Sequence, residues 1–241
     1  MSTSAPTFLS YPAWSAVDLS VLFEDDNLKL LVKAFLMTLR LTLLACAFGV
    51  LLGLLLATCR VSPIRPLRIA AGAYTNFMIN IPIAVWVALF FFGLPKIDLA
   101  FRSDDLRWDT FRSGLVAVAL WVSAYFAEAI RSGINSVPNG QAEAARAIGL
   151  PFTKVLGSVI LPQALRTSIL PIGVVLNATY RNAAAVSFIG VADIVNVTSE
   201  RGDTLAAYTE FTIAAFVCYF ILAVVTNGVF LGLDRKFAVK R

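Results

Sequence analysis

The sequence predicts an all-α membrane protein with five transmembrane helices, and two observations support that prediction. Hydrophobic residues make up 59% of the 241 residues and charged residues only 15%, a balance that suits a chain surrounded largely by lipid. The apolar residues also fall into five long runs separated by polar connections. Each run has about the 20 residues that a helix needs to cross a bilayer.

The N-terminal part of the chain combines a polar lead-in with two predicted spans. Residues 1–27 are mixed and acidic and hold no basic residue, which predicts an extracytoplasmic lead-in ahead of a transmembrane domain covering residues 28–241. The first span is residues 41–59, which carry no charge and are bounded by arginines. The second span is residues 69–92, and Pro82 is expected to interrupt it because proline lacks the amide hydrogen that a helix interior uses.

Three further spans follow. A loop with balanced charges leads to the third span, residues 114–131. The fourth span is residues 164–190, in which Pro171 predicts a kink. Residues 191–210 are predicted to form an acidic loop, and residues 211–233 form the fifth span.

A polar and basic island, residues 136–162, separates the third span from the fourth and must face water. Pro138 and Asn139 are start signals for a short helix, and Gly149 lies where such a helix would end in a left-handed turn. Pro151 then opens the next helix, because the first helical residue needs no amide donor. The island therefore predicts two short helices joined by a tight elbow.

The island resembles a known motif, the EAA loop of ABC importer permeases. The matching residues are Glu143, Ala144 and Ala145, then Gly149 after three residues, and then Val159, Ile160, Leu161 and Pro162 after nine more. Upstream, the chain is similar to the longer pattern of the polar amino acid permeases at Ala124, Tyr125, Ala127, Glu128, Arg131, Gly133, Ile134, Val137, Gly140 and Gln141. The resemblance covers about residues 38–235, nearly the whole chain.

This resemblance implies a type I ABC importer permease fold in the bacterial inner membrane and ATP-driven import of a polar amino acid such as glutamate or glutamine. The implied partners are two cytoplasmic ATPase subunits, a second permease subunit, an extracytoplasmic amino acid binding protein and membrane lipid. The net charge of +5 indicates nucleic acid only weakly, because the placement of the basic residues has another explanation, so no nucleic acid partner is expected. The residues that would couple to an ATPase are Gly140, Glu143, Ala144, Ala145, Gly149, Leu161 and Pro162.

The placement of charge predicts which side of the membrane each connection faces. Basic residues gather in the first connection, in the island with its flanks and in the C-terminal tail: Arg60, Arg65, Arg68, Arg131, Arg146, Lys154, Arg166, Arg235, Lys236, Lys240 and Arg241. Only Glu143 and Asp234 oppose them there. The positive-inside rule makes that side cytoplasmic. Five spans then place the N-terminus outside and the C-terminus inside.

The sequence lacks the residues that several other functions require. No G-x-x-x-x-G-K-[ST] pattern occurs, so we expect ATP hydrolysis in a separate subunit and no enzymatic activity here. The chain has no histidine, and Cys46, Cys59 and Cys218 fall in apolar runs, so no metal site, cofactor or disulfide framework is expected. An ion-gradient-driven transporter or channel is the alternative, disfavoured because five spans without an inverted repeat do not give the usual two-half architecture. A non-transporting scaffold subunit also stays open.

Polar residues within the spans are candidates for a substrate pathway, because an ionisable group at membrane depth is costly and suggests function. The candidates are Asn80, Glu128, Asn177, Arg181, Asn182 and Ser187. Glu128 has a structural alternative, since Arg131 follows at the spacing of a helical ion pair. Arg181 lies roughly 22 Å beyond Arg166 along a helix. It would line the path, extend outward to water or pair with Glu128.

Departures from the family pattern suggest a partner of different polarity. Where many relatives have a lysine and, after one residue, Thr-Ser-Leu, this chain has Arg181, Asn182, Ala183, Ala184 and Ala185. Trp86 also replaces a usual glutamine. Apolar walls offer a zwitterion few partners, and two Arg181 side chains would repel each other across a two-fold axis. We therefore expect a heterodimer with a more polar permease. A homodimer that holds an anionic substrate between the two arginines is the alternative.

Overall fold

A computed structural model describes residues 17–99 and 105–237, and within them all regular structure is helical. The α-helices are α1 (Asp25–Val61), α2 (Arg65–Asn80), α3 (Ile83–Ala88), α4 (Leu106–Ser136), α5 (Asn139–Ala147), α6 (Phe152–Lys154), α7 (Leu161–Thr167), α8 (Ile169–Ala183), α9 (Ile194–Leu205) and α10 (Tyr208–Phe237). Short 3₁₀ helices form at Leu19–Phe23, Leu94–Ile97 and Ala184–Ile189, and π-helical turns form at Leu89–Gly93 and Val155–Ile160.

Three helices, α1, α4 and α10, are each long and apolar enough to cross a bilayer. Two bent helix pairs are also long and apolar enough when each is taken together: α2 and the helical stretch after it meet at 99°, and the stretch ending with α7 meets α8 at 57°. Counting each bent pair as one span gives five, which agrees with the predicted all-α membrane fold. The 37 residues of α1 reach about 55 Å, so this helix extends well beyond a hydrocarbon layer of roughly 30 Å.

Most of the predicted lead-in, residues 1–16, lies outside the described residues, as does the end of the tail, residues 238–241. The described part of the lead-in contacts the start of α10. Leu22 packs beside Phe211, and the amide of Asp18 donates a hydrogen bond to Glu210 at 3.1 Å. These contacts fix the N-terminal end of α1 against α10.

Both bends occur at or near prolines. Pro82 precedes α3, so the predicted interruption of the second span is confirmed. The fourth span bends at Ser168 rather than at Pro171, because the proline cannot donate the hydrogen bond that the carbonyl of Thr167 would accept in a helix. At the bend, the single hydroxyl hydrogen of Ser168 is shared between the carbonyls of Ala164 (2.8 Å) and Ala129 (3.3 Å). The second of these bonds holds the bend against α4.

The core forms where α1 packs against α4. Gly49 and Gly53 of α1 face this contact, and a Cβ atom on them would lie 2.5 Å from Cγ1 of Val122 and 2.6 Å from Cβ of Phe126. Small residues at such a contact allow two backbones to approach closely inside a membrane. The close approach buries most of the middle of α4 and brings polar side chains of different helices together at its ends.

The connection at residues 191–210 was predicted to be a loop, but most of it is the helix α9. Asp193 caps this helix, and its Oδ1 accepts a hydrogen bond from the amide of Asn196 at 2.9 Å. One face of α9 is buried through Ile194 and Val197, while the opposite face is exposed. The helix ends at Ala206, whose φ of 52° is left-handed.

Candidate functional site

The predicted elbow lies between α5 and α6, and Gly149 is its turning point. Gly149 has a φ of 84°, as the sequence predicted, and no heavy atom lies within 4 Å of the position of an added Cβ. Its amide donates to the carbonyl of Arg146 at 2.9 Å, and the amide of Leu150 donates to that of Ala145 at 3.2 Å. This pair of bonds is the Schellman motif, in which a left-handed residue satisfies the last carbonyls of a helix.

α5 is fixed to the helix that follows it by a small apolar cluster. Ala145 is buried and shares this cluster with Val137, Val155, Ile160 and Ala164. The side-chain amides of Gln141 and Gln163 also form a hydrogen bond across the elbow. The predicted coupling residues therefore divide into two groups. The first group is at least partly buried: Ala145 is buried and Leu161 is half-buried. The second group is exposed and consists of Gly140, Glu143, Ala144, Gly149 and Pro162.

The second helix of the island is longer than predicted. The island was predicted to end at Pro162, but helical structure continues through this proline to Thr167. The π-helical turn Val155–Ile160 ends two residues before Pro162 and shifts the hydrogen-bond register of the helix near this residue, which has no amide hydrogen to donate. As a result, the island and the fourth span form one bent unit.

A cavity of about 550 Å³ lies at the far end of this unit. Three of the predicted pathway residues, Arg181, Asn182 and Ser187, line it together. α9 contributes Asn196 and Ser199 to the same wall. Among the described residues that line the cavity, Arg181 carries the only charge. Its side chain is exposed, and its Nε donates to the carbonyl of Asn177 at 3.2 Å.

The other predicted pathway residues lie elsewhere. The side-chain amide of Asn177 donates to Oδ1 of Asn227 at 2.8 Å and so joins α8 to α10. The side-chain amide of Asn80 donates to the carbonyl of Asn76 within its own helix at 2.6 Å. Trp86 is buried in the core, 7% exposed, and does not line the cavity. Asn196 and Ser199 were not predicted, because residues 191–210 were expected to form a loop, in which no shared helix face can be assigned.

Glu128 forms an ion network with two arginines near the elbow end of the helix bundle. Its Oε2 accepts hydrogen bonds from Nη2 and Nε of Arg131 at 2.8 and 3.0 Å, and its Oε1 pairs with Arg60. Arg60 also donates to Oγ1 of Thr75 at 2.6 Å. The network ties α1, α2 and α4 together. The local pair with Arg131 was foreseen as an alternative, but the bond to Arg60 was not, and Glu128 makes no pair with Arg181 in the described structure.

Within residues 17–99 and 105–237, no group of three or more His, Cys, Asp and Glu side chains is placed to hold an ion. Two features that could take part in transport are the exposed elbow and the polar cavity lined by Arg181. They lie at the two ends of one bent helical unit.

Comparison with known proteins relates this geometry to a family. Residues 49–239 match the model of the family described as binding-protein-dependent transport system inner membrane component. The chain is 36% identical over 229 residues to the glutamate transport system permease protein GluC of Corynebacterium efficiens, a match covering 92% of this chain and 100% of that protein. It is 33% identical over 220 residues to the probable glutamine ABC transporter permease protein GlnM of Bacillus subtilis, covering 90% and 95% respectively.

Solved structures show the same architecture. The crystal structure of an amino acid ABC transporter with histidines matches with a TM-score of 0.81 and 30% identity, covering 92% of this chain and 99% of that one. An inward-facing structure of the MetNI methionine ABC transporter matches with a TM-score of 0.74 and 20% identity, covering 90% and 100%. The second match supports the fold alone.

Proposed function

Because the chain belongs to the family of binding-protein-dependent transport system inner membrane components, we propose that it is the membrane-spanning permease subunit of an ATP-driven importer of a polar amino acid. The relatives named for glutamate and glutamine transport make these two amino acids the proposed substrates. ATP-driven import is favoured over an ion-gradient-driven transporter or channel, because the solved relative at 30% identity is an amino acid ABC transporter.

The observation that supports this function best is the continuity between the elbow and the cavity. Buried Ala145 fixes α5 to the helical stretch at residues 152–167. That stretch continues across the bend at Ser168 into α8, whose last turn bears Arg181 and Asn182. A force applied to α5 would therefore move the residues that line the cavity. Rigid-body motion of packed helices is a known means of switching between states.

The partners of such a permease follow from the exposed residues of the elbow. Gly140, Glu143, Ala144 and Gly149 face outward and would contact one of two separate ATPase subunits in the cytoplasm. Closure of the ATPase pair on ATP would move α5 and switch the spans between inward-facing and outward-facing states. A second permease and an extracytoplasmic binding protein complete the proposed assembly. ATP hydrolysis belongs to the ATPase subunits.

The chemistry of the cavity favours an amino acid without a cationic side chain. The guanidinium of Arg181 suits the α-carboxylate or an acidic side chain. Asn182, Ser187, Asn196 and Ser199 offer amide and hydroxyl groups for further hydrogen bonds. No carboxylate is present among the described lining residues to neutralise a lysine or arginine substrate. A neutral or acidic polar amino acid fits this set of groups better.

Replacing Arg181 with methionine tests the proposed pathway. The substitution keeps the length and apolar contacts but removes the cation, so we expect uptake to fall at least about tenfold, the equivalent of one charge-assisted hydrogen bond. The measurement is glutamate and glutamine uptake into vesicles that contain the complete importer at matched expression. Lys96→Met removes a cation from an exposed position outside the cavity lining and is expected to leave uptake unchanged. Undiminished uptake by Arg181→Met would place Arg181 outside the pathway.

A further inference from the structure

A second cavity, of about 690 Å³, opens between α1, α4 and the start of α9, at the end of the bundle opposite the elbow. Its wall carries the cationic side chains of Lys33, Arg40 and Arg107, against the single carboxylate of Glu200 among the described lining residues. The rest of the wall is largely apolar. Asn196 reaches both this cavity and the one at Arg181.

The spacing of arginines places this cavity at a membrane boundary. Arg40 and Arg60 are twenty residues apart on α1, which is about 30 Å at helical rise. Arg112 and Arg131 are nineteen residues apart on α4, about 29 Å. Both distances equal the thickness of the hydrocarbon layer, roughly 30 Å. Because Arg60 and Arg131 share Glu128 at one boundary, Arg40 and Arg112 mark the other.

Aromatic side chains support this assignment of depth. Trp108 lies between the two arginines, with Cζ of Arg40 5.6 Å and Cζ of Arg112 5.7 Å from its ring centre. Cζ of Arg40 also lies 5.1 Å from the ring centre of Phe111. Tryptophan is enriched at the level of lipid headgroups, and cation–π contacts hold a guanidinium in place at such a site. The cavity therefore opens where phosphate groups of the bilayer lie.

The face of α1 that bears the cations continues as an apolar stripe. Lys33 and Arg40 are seven residues apart and so share one helix face. The same face continues through Leu43, Ala47 and Leu51, and Leu43 and Leu51 are 49% and 67% exposed. These residues lie within the hydrocarbon length of α1. A water-soluble protein would reach the cations but not this stripe, whereas a lipid would contact both.

We propose that this cavity binds the phosphate headgroup of an anionic phospholipid. Lys33, Arg40 and Arg107 surround the phosphate, and an acyl chain lies along Leu43 and Leu51. The net positive wall complements the negative headgroup, and the neutral headgroup of a zwitterionic lipid gains less from it. A lipid bound there bridges α9 to α1 and α4 and so stabilises the helix that also forms one wall of the cavity at Arg181.

Native mass spectrometry of the complete importer in detergent tests this site. The complex is titrated with phosphatidylglycerol or with phosphatidylethanolamine bearing the same acyl chains. We expect phosphatidylglycerol to bind more tightly, and Lys33→Gln/Arg107→Gln to weaken its binding by about fivefold for each charge removed. Glu200→Gln removes the opposing carboxylate and is expected to strengthen binding by about fivefold. This gain keeps the proposal testable if the double variant folds poorly.

Lys29→Gln/Lys96→Gln is the matched control, because it removes two exposed cations that lie outside the wall of the cavity. Retention of phosphatidylglycerol by this control supports a defined site. An equal loss in both double variants would show diffuse attraction and overturn the proposal. Unchanged lipid binding combined with weaker capture of the binding protein by Lys33→Gln/Arg107→Gln would assign the cations to that protein and overturn it as well.

Discussion

Asp193 lies buried at the N-terminus of α9, with only 2% of its surface exposed. Its Oδ1 caps the helix at the amide of Asn196, but within the described part of the chain its Oδ2 accepts no hydrogen bond. Burial raises the pKa of Asp193 to about 6, because the carboxylate loses its hydration, and the backbone amide of Asn196 offsets part of that effect. The folded protein therefore binds a proton at Asp193 more tightly than the unfolded chain does.

We expect the free energy of unfolding to fall as pH rises from about 4 to about 6, because the folded state retains a proton there that the unfolded chain, with a pKa near 3.8, has released. The full difference is about 3 kcal/mol. Asp193→Asn keeps an oxygen for the cap and abolishes the titration. It should be more stable than the unmodified chain at pH 7 and approach it as pH falls towards 4.

Thermal unfolding in detergent between pH 4 and pH 8 measures this difference. Glu200→Gln, at an exposed position of the same helix, is the control and should not show the gain in stability at pH 7. If the unfolding temperatures of Asp193→Asn and the unmodified protein changed in parallel from pH 4 to pH 8, this carboxylate would not titrate between those pH values.

At the scale of residues, the sequence allowed only local partners to be predicted. The pair of Glu128 with Arg131 follows from a spacing of three residues on one helix. The partner Arg60 lies 68 residues away in the chain and reaches Glu128 only because α1 and α4 pack closely at Gly49 and Gly53. That approach is a property of the folded bundle, and spacing within one segment does not show it.

The same distinction applies to whole elements. The elbow was predictable because Pro138, Gly149 and Pro151 determine its helix ends within a few residues. α9 was missed because its sequence is polar and only its packing shows which face is buried. The angle of 99° at Pro82 could not be predicted from the sequence either, because a proline indicates that a helix is interrupted but not in which direction the chain continues.

Gly149→Val tests the role of the elbow in coupling. The space around Gly149 is open, so the cost comes from its φ of 84°, about 1–3 kcal/mol for a β-branched residue. Relief of this strain would tilt α5 relative to the following helix. We expect uptake and substrate-stimulated ATP hydrolysis to decrease together, while the protein still inserts in the membrane.

The measurement compares both activities in proteoliposomes. Gly228→Val introduces the same side chain into α10, where an added Cβ also meets open space but φ is negative, and it is expected to retain both activities. Normal stimulation of ATP hydrolysis in Gly149→Val would argue against coupling through the elbow.

At the scale of the whole molecule, we interpret the cavity at Arg181 as one half of a transport pathway. The cavity at Arg181 is open, and Arg181 and Phe188 on its wall are exposed, the latter by 78%. The apolar wall expected from the sequence is smaller than predicted, because Trp86 and Ala183 are buried in the core while Ala184 and Ala185 line the cavity. The case for a different second permease therefore rests mainly on the charge of Arg181.

Two copies of this chain across a two-fold axis would bring two arginines to one path, and like charges repel strongly where water is scarce. We therefore predict a heterodimer in which a related permease presents a more polar wall opposite Arg181. When this chain is expressed with the ATPase and the binding protein alone, uptake should stay at background, and adding the second permease should restore it. Arg181→Gln removes the repulsion, so this variant should yield more cross-linked homodimer than the unmodified chain. Robust, substrate-specific uptake without a second permease would show instead that the homodimer suffices, with an anionic substrate held between the two arginines.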